Sequence, residues 1–88
     1  MITSEQVHEI AAKIETLGVD ESTVSTLRQH YQPIHFTYCM DDDLPNNTPA
    51  VEHQGFNLYL IDGREHCLCL TNDYQAATGI VVAEIIPD

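Results

Sequence analysis

The chain has 88 residues, enough for one domain and too few for two. Hydrophobic residues are 43% and charged residues 19%, a globular composition with a small core, since a chain of this length buries only about 60–65% of its unfolded surface. With 3 Lys+Arg against 14 Asp+Glu, the formal net charge is −11, which argues against binding nucleic acid or an anionic membrane and favours a basic partner.

Val7, Ile10, Ala11, Ile14 and Leu17 recur at helical spacing and predict an amphipathic first helix. Thr3 with Gln6 has capping-box form, with Ser4 as a competing cap, and Gly18 is placed to end the helix. A second helix follows, with Asp20 as N-cap, Glu21 in the first turn, and Val24, Leu27 and Tyr31 as its buried stripe. Arg28 and His30 suit its C-terminal end, and Pro33 closes it.

The period then changes to two. Ile34, Phe36, Tyr38 and Met40 alternate with His35, Thr37 and Cys39, which is strand patterning. A long polar loop is expected from Asp41 to Gly55. Phe56–Ile61 and His66–Leu70 read as two strands of a hairpin, with a turn over Asp62–Glu65 announced by Asp62-Gly63. Phe56, Leu58, Leu60, Cys67 and Cys69 then share one side, and Asn57, Tyr59, Ile61, His66, Leu68 and Leu70 the other. Asn72 or Asp73 can cap a single helical turn through Tyr74–Ala77, ended by Gly79. Ile80–Ile86 is nearly continuous in apolar residues, as a central strand is.

The order α-α-β-β-β-(short α)-β predicts an α+β domain spanning residues 1–88, with two N-terminal helices on a mainly antiparallel four-stranded sheet. Two arrangements stay open. If both helices cover one face, the other carries Tyr59, Ile61, Leu68 and Leu70, which form an exposed apolar patch, a feature of partner sites, if nothing else in the chain covers them. If the helices split, they cover both faces.

Chemistry-bearing residues are few. Cys39, Cys67 and Cys69, with His35, His53 and His66, include soft-metal ligand types. Cys67 and Cys69 lie two apart in a strand, nearly 7 Å, too far for a disulfide and awkward for one metal. Buried core thiols are the plainer reading. Asp41, Asp43 and Glu52 fall at positions 1, 3 and 12 of a calcium-loop count, but Pro45 and Asn46 break that frame. The triple aspartate reads instead as a solvated loop or as charge that steers a basic partner, with a weak divalent-cation site as the lesser alternative. No nucleophile elbow or phosphate-binding loop is present, so neither an enzyme nor a cofactor is expected. Three cysteines are an odd number, and no basic region precedes an apolar run at the N-terminus. A cytoplasmic protein with reduced thiols is therefore expected, in which the Asn46-Asn47-Thr48 sequon goes unused.

The stretch from Gly55 through Leu68, with Leu70–Asp73, Ala76–Gly79 and Cys39–Asp43, resembles a small family of uncharacterised proteobacterial proteins associated with nitrogen-fixation genes, one of them a nitrogenase-associated accessory factor. The resemblance covers about the C-terminal half of the chain or more and brings no catalytic motif. It implies a non-enzymatic accessory protein, free of cofactor, that binds the molybdenum–iron protein of nitrogenase during assembly, protection or repair.

With the acidic loop and the hairpin, this points to partner contacts at Asp41, Asp42, Asp43, Tyr59, Ile61, Asp62, Arg64, His66 and Leu68. Two other readings compete. One is a metal or redox carrier built on Cys39, Cys67 and Cys69. The other is an acidic DNA mimic, which needs a spaced row of carboxylates on one surface.

Overall fold

A computed structural model describes residues 2–44, 48–63 and 69–86. The elements in chain order are α1 (Ser4–Leu17), α2 (Glu21–His30), β1 (His35–Met40), a 3-10 turn (Asp41–Asp43), β2 (Val51–Glu52), β3 (Phe56–Asp62), β4 (Cys69–Thr71) and β5 (Gly79–Glu84). The fold is α+β, as its element order predicts.

Both helices start on the expected side-chain caps. Thr3 Oγ1 accepts the Gln6 N–H at 3.1 Å, and Asp20 Oδ1 accepts the Thr23 N–H at 2.8 Å. α1 stops because Gly18 turns to φ 104°, a left-handed conformation that suits glycine, while its N–H still donates to Ile14 O at 2.7 Å. Leu17 departs from the expected stripe. It lies at the margin of the apolar face and is 54% exposed.

β5 takes the central position, parallel to β1 on one side and antiparallel to β3 on the other. The β1–β5 pairing is the one parallel pair among the described strands, reached through the long intervening chain. The outer edge of β3 carries β2 at one end and β4 at the other, which makes five strands rather than four. β2 lies inside the segment expected to be loop. A two-residue strand has no period to recognise.

The hairpin also differs from expectation. Asp62 pairs with Cys69 and Ile61 with Leu70, where a turn over Asp62–Glu65 would set Ile61 against His66; residues 64–68, on which the rest of that turn and the start of the expected strand fall, lie outside the described residues. Thr78 explains why β3 runs on past Ile61: its N–H donates to Ile61 O at 2.8 Å, and its Oγ1 accepts the Gly63 N–H at 3.0 Å. The displaced pairing keeps the expected facing, because Cys69 lies level with Asp62, on the side of Phe56, Leu58 and Leu60. The turn after β4 is built on Asp73, whose Oδ1 accepts the Gln75 N–H at 2.9 Å and whose carbonyl accepts the N–H of Ala76 and Ala77. It is a capped turn rather than a helix, and Gly79 begins β5 instead of ending that turn.

Both helices cover the same face. Ile2, Val7, Ile10, Ile14, Val24 and Leu27 pack on Phe36, Phe56, Leu58, Leu60, Ile80 and Val82, all at most 4% exposed. Burying each such side chain contributes about 1.5–3 kcal/mol. The far face is closed as well, by neither expected arrangement. Tyr59, Ile61, Val81 and Ala83 form a second buried cluster, against which Leu44, Cys39 and Leu70 pack. Tyr59 is 5% exposed and Ile61 4%, which corrects the expectation of an open apolar patch there. Leu44, just past the 3-10 turn, supplies the cover that the helices do not.

At the start of the parallel pair, a Cβ on Gly79 would lie 2.8 Å from His35 O and 3.0 Å from His35 Cβ, whereas one on Gly55 would meet nothing within 4 Å. Gly79→Ala is expected to lower stability by about 1–3 kcal/mol, and Gly55→Ala to change it by no more than about 0.5 kcal/mol. Urea unfolding of the two variants beside the parent checks this contrast.

Candidate functional site

α2 and β1 are joined by a short return through Tyr31–Ile34, so the N-terminus of α2 lies beside the C-terminal end of β1. That end gathers carboxylates from three places. Asp20 and Glu21 open α2, Glu84 lies level with Met40 at the end of β5, and Asp41, Asp42 and Asp43 follow β1 directly.

Tyr38 stands among them. Its hydroxyl donates to Glu84 Oε1. The phenol pKa is pushed up to about 12 by that hydrogen bond first, then by burial and by the charges of Glu84, Glu21 and Asp20. The phenol therefore stays neutral across the physiological range and serves as a donor to Glu84.

The three aspartates have different roles. Asp41 Oδ1 accepts two hydrogen bonds, from Asn57 Nδ2 at 3.1 Å and from Tyr59 OH at 2.9 Å. It pins the turn onto the far face of β3. Burial, and then this bond to Asp41, raises the Tyr59 phenol. Asp42 and Asp43 are exposed.

Of the other sequence-expected contacts, Tyr59 and Ile61 lie beneath the turn and are not available to a partner. Asp62 is half-buried in β3. Arg64, His66 and Leu68 lie outside the described residues. The structure thus sets Asp42 and Asp43 at the same end of the β1–β5 pair as Asp20, Glu21 and Glu84, which sequence reasoning did not assign to the site. Asp20 and Glu21 were legible only as helix-start residues. The signal for Glu84 was a lone charge at the end of an apolar strand.

The described cations do not offset this end. Lys13 Nζ lies 3.8 Å from Glu9 and 4.8 Å from the centre of the Tyr31 ring, and the Tyr31 hydroxyl also donates to Glu9. Arg28 Nε donates to Phe36 O at 3.1 Å.

The cysteines do not converge. Cys39 lies in β1 on the far face, packed against the second cluster, while Cys69 lies in β4 on the helix side. Two strands separate β1 from β4, about 14 Å at the usual strand spacing. Burial first, and then Asp43 and Asp41, raise the Cys39 thiol and keep it protonated and weakly nucleophilic. Cys67 lies outside the described residues. Among the described residues no three metal-ligating side chains form a group.

At the opposite end of the sheet, a groove of about 510 Å³ is lined by Ile2, Gln6, His30, Tyr31, His35 and Thr78, among others. No carboxylate or thiol lines it. No helix among the described residues is long and apolar enough to cross a membrane.

The model of one protein family, described as a family of unknown function (DUF6129), matches residues 9–85. No curated protein matches the chain, and no solved structure does.

Two outcomes follow from this geometry. Asp41→Ala is expected to cost about 1–3 kcal/mol, because the buried Tyr59 hydroxyl loses its acceptor; Asp42→Ala is expected to stay within about 0.5 kcal/mol. Chemical denaturation of both separates anchoring from surface charge. For Tyr38 the folded pKa lies above the ordinary value of 10.0, so its contribution to stability is complete below pH 10 and is lost as pH rises towards 12. Ultraviolet titration should show one tyrosine ionising near pH 12, returning towards 10 in Glu84→Gln.

Proposed function

The chain belongs to the DUF6129 family, which has no assigned function, and on its own geometry we propose that it is a non-catalytic acidic accessory protein that docks on a basic surface of a larger protein. The observation that carries this reading is the acidic end, which no Lys or Arg among the described residues offsets. Asp42 and Asp43 stand exposed there beside Asp20, Glu21 and Glu84, while Lys13 and Arg28 are engaged elsewhere. Long-range attraction from a net charge of −11 speeds encounter with a basic partner and discourages self-association and approach to nucleic acid.

The resemblance of the Gly55–Leu68 stretch and its neighbours to nitrogen-fixation proteins supplies the partner in this proposal: a nitrogenase component, the molybdenum–iron protein, met in the cytoplasm during assembly, protection or repair. The accessory protein acts by docking. It needs neither a metal nor a cofactor of its own.

The test is anaerobic recovery of an N-terminally tagged chain from its host, grown with and without fixed nitrogen. Stoichiometric nitrogenase subunits, found only in nitrogen-fixing cells, are the expected result. Their association rate should fall as salt rises, and fall again in Asp42→Asn/Asp43→Asn. Recovery of a different basic protein would remove nitrogenase and keep the docking role; association that ignores both salt and the variants would remove the electrostatic basis.

A further inference from the structure

We propose that the outer edge of β1, from Tyr38 to Met40, is a strand-addition site for an extended partner segment carrying adjacent basic residues. This rests on the reading of the chain as an acidic docking protein and specifies how the partner is held.

The backbone sets up the edge. His35 N–H donates to Thr78 O at 3.2 Å, and β1 then runs parallel to β5 in unbroken register from His35↔Gly79 to Met40↔Glu84. In a parallel ladder, both backbone polar groups of alternate residues point the same way. His35, Thr37 and Cys39 therefore face β5, and Phe36, Tyr38 and Met40 turn their N–H and C=O groups outward. Among the described residues no strand lies beyond β1. The opposite edge of the sheet offers less, because β2 and β4 there are only 2 and 3 residues long.

Arg28 divides the β1 edge. Its Nε occupies the carbonyl of Phe36. An exposed row of backbone donors and acceptors is a template for another strand, and natural proteins blunt such rows with charge or cover. Among the described residues the cover reaches only the first outward residue. Tyr38 and Met40 remain, and they adjoin the acidic end.

Charge then selects the occupant. Side chains of an added strand alternate between the two faces of the sheet. On the helix face they come towards Asp20, Glu21 and Glu84, the carboxylates grouped around Tyr38. On the far face they come towards Asp43, close enough to Cys39 to act on its thiol. Two consecutive Lys or Arg residues, one to each face, are matched on both sides. A second copy of this chain is not, since each carries a net charge of −11. Main-chain bonds to the edge supply affinity and the carboxylates supply selection, as in other strand-addition complexes.

The test uses the full chain and a blocked peptide, Thr-Lys-Arg-Val-Thr, alongside the same peptide N-methylated at alternate backbone positions. The expected result is slowed amide exchange at Tyr38 and Met40 on peptide binding, with affinity at least tenfold weaker for the methylated peptide. Met40→Pro is the matching protein variant. Met40 has φ −85°, near proline's range, and its N–H faces away from β5, so the sheet is retained while the edge loses a donor. It should also weaken binding at least tenfold, with an unchanged urea midpoint. Equal binding of both peptides, protection confined to other elements, or no binding would each overturn strand addition. A basic partner recovered from cells at the same yield by the parent and by Met40→Pro would leave the docking role standing and remove this site alone.

Discussion

Both helices lie on one face of the five-stranded sheet, and the structure is organised around the way the second face is closed. α1 and α2 lie together on one side. On the other, one carboxylate oxygen of Asp41 holds Asn57 and Tyr59, and the chain beyond it lays Leu44 over the second cluster. A small domain with a narrow stability margin gains a second buried cluster from one short turn. The cost is a buried phenol and a half-buried carboxylate, which are tolerable because each satisfies the other.

That closure moves the functional question from the faces to the ends and edges. Tyr59 and Ile61, half of the expected apolar patch, are covered. What stands out is charge: carboxylates from α2, β5 and the turn after β1 lie at the end of a strand edge that no other described strand pairs, while the described cations bind a glutamate, an aromatic ring and a backbone carbonyl. Cys39 and Cys69, set on opposite faces three strand spacings apart, do not assemble into a common site.

Features decided by near neighbours were legible in the sequence. Thr3 and Asp20 cap helices three residues away, Gly18 supplies a left-handed turn, and the apolar run from Ile80 marks the central strand. The alternation in Phe56–Ile61 also sorted side chains correctly between faces. It could not say what covered each face. The bond from Tyr59 to Asp41 spans 18 residues, and nothing in local spacing announces it. The parallel pairing of β1 with β5 and the displacement of β4 along β3 have the same origin, since both depend on Thr78 and Gly79 meeting distant strands. Of the site, the exposed Asp42 and Asp43 were legible as charge, whereas their grouping with Asp20, Glu21 and Glu84 required the return of α2 onto β1.

The closure of the far face is the claim on which the rest stands, and solution NMR reads it directly. Nuclear Overhauser contacts from the Leu44 methyl groups to the Tyr59 ring and to Ile61 or Val81 are the predicted result. A spectrum in which Leu44 contacts none of these residues, with the Tyr59 ring open to solvent, would contradict the account.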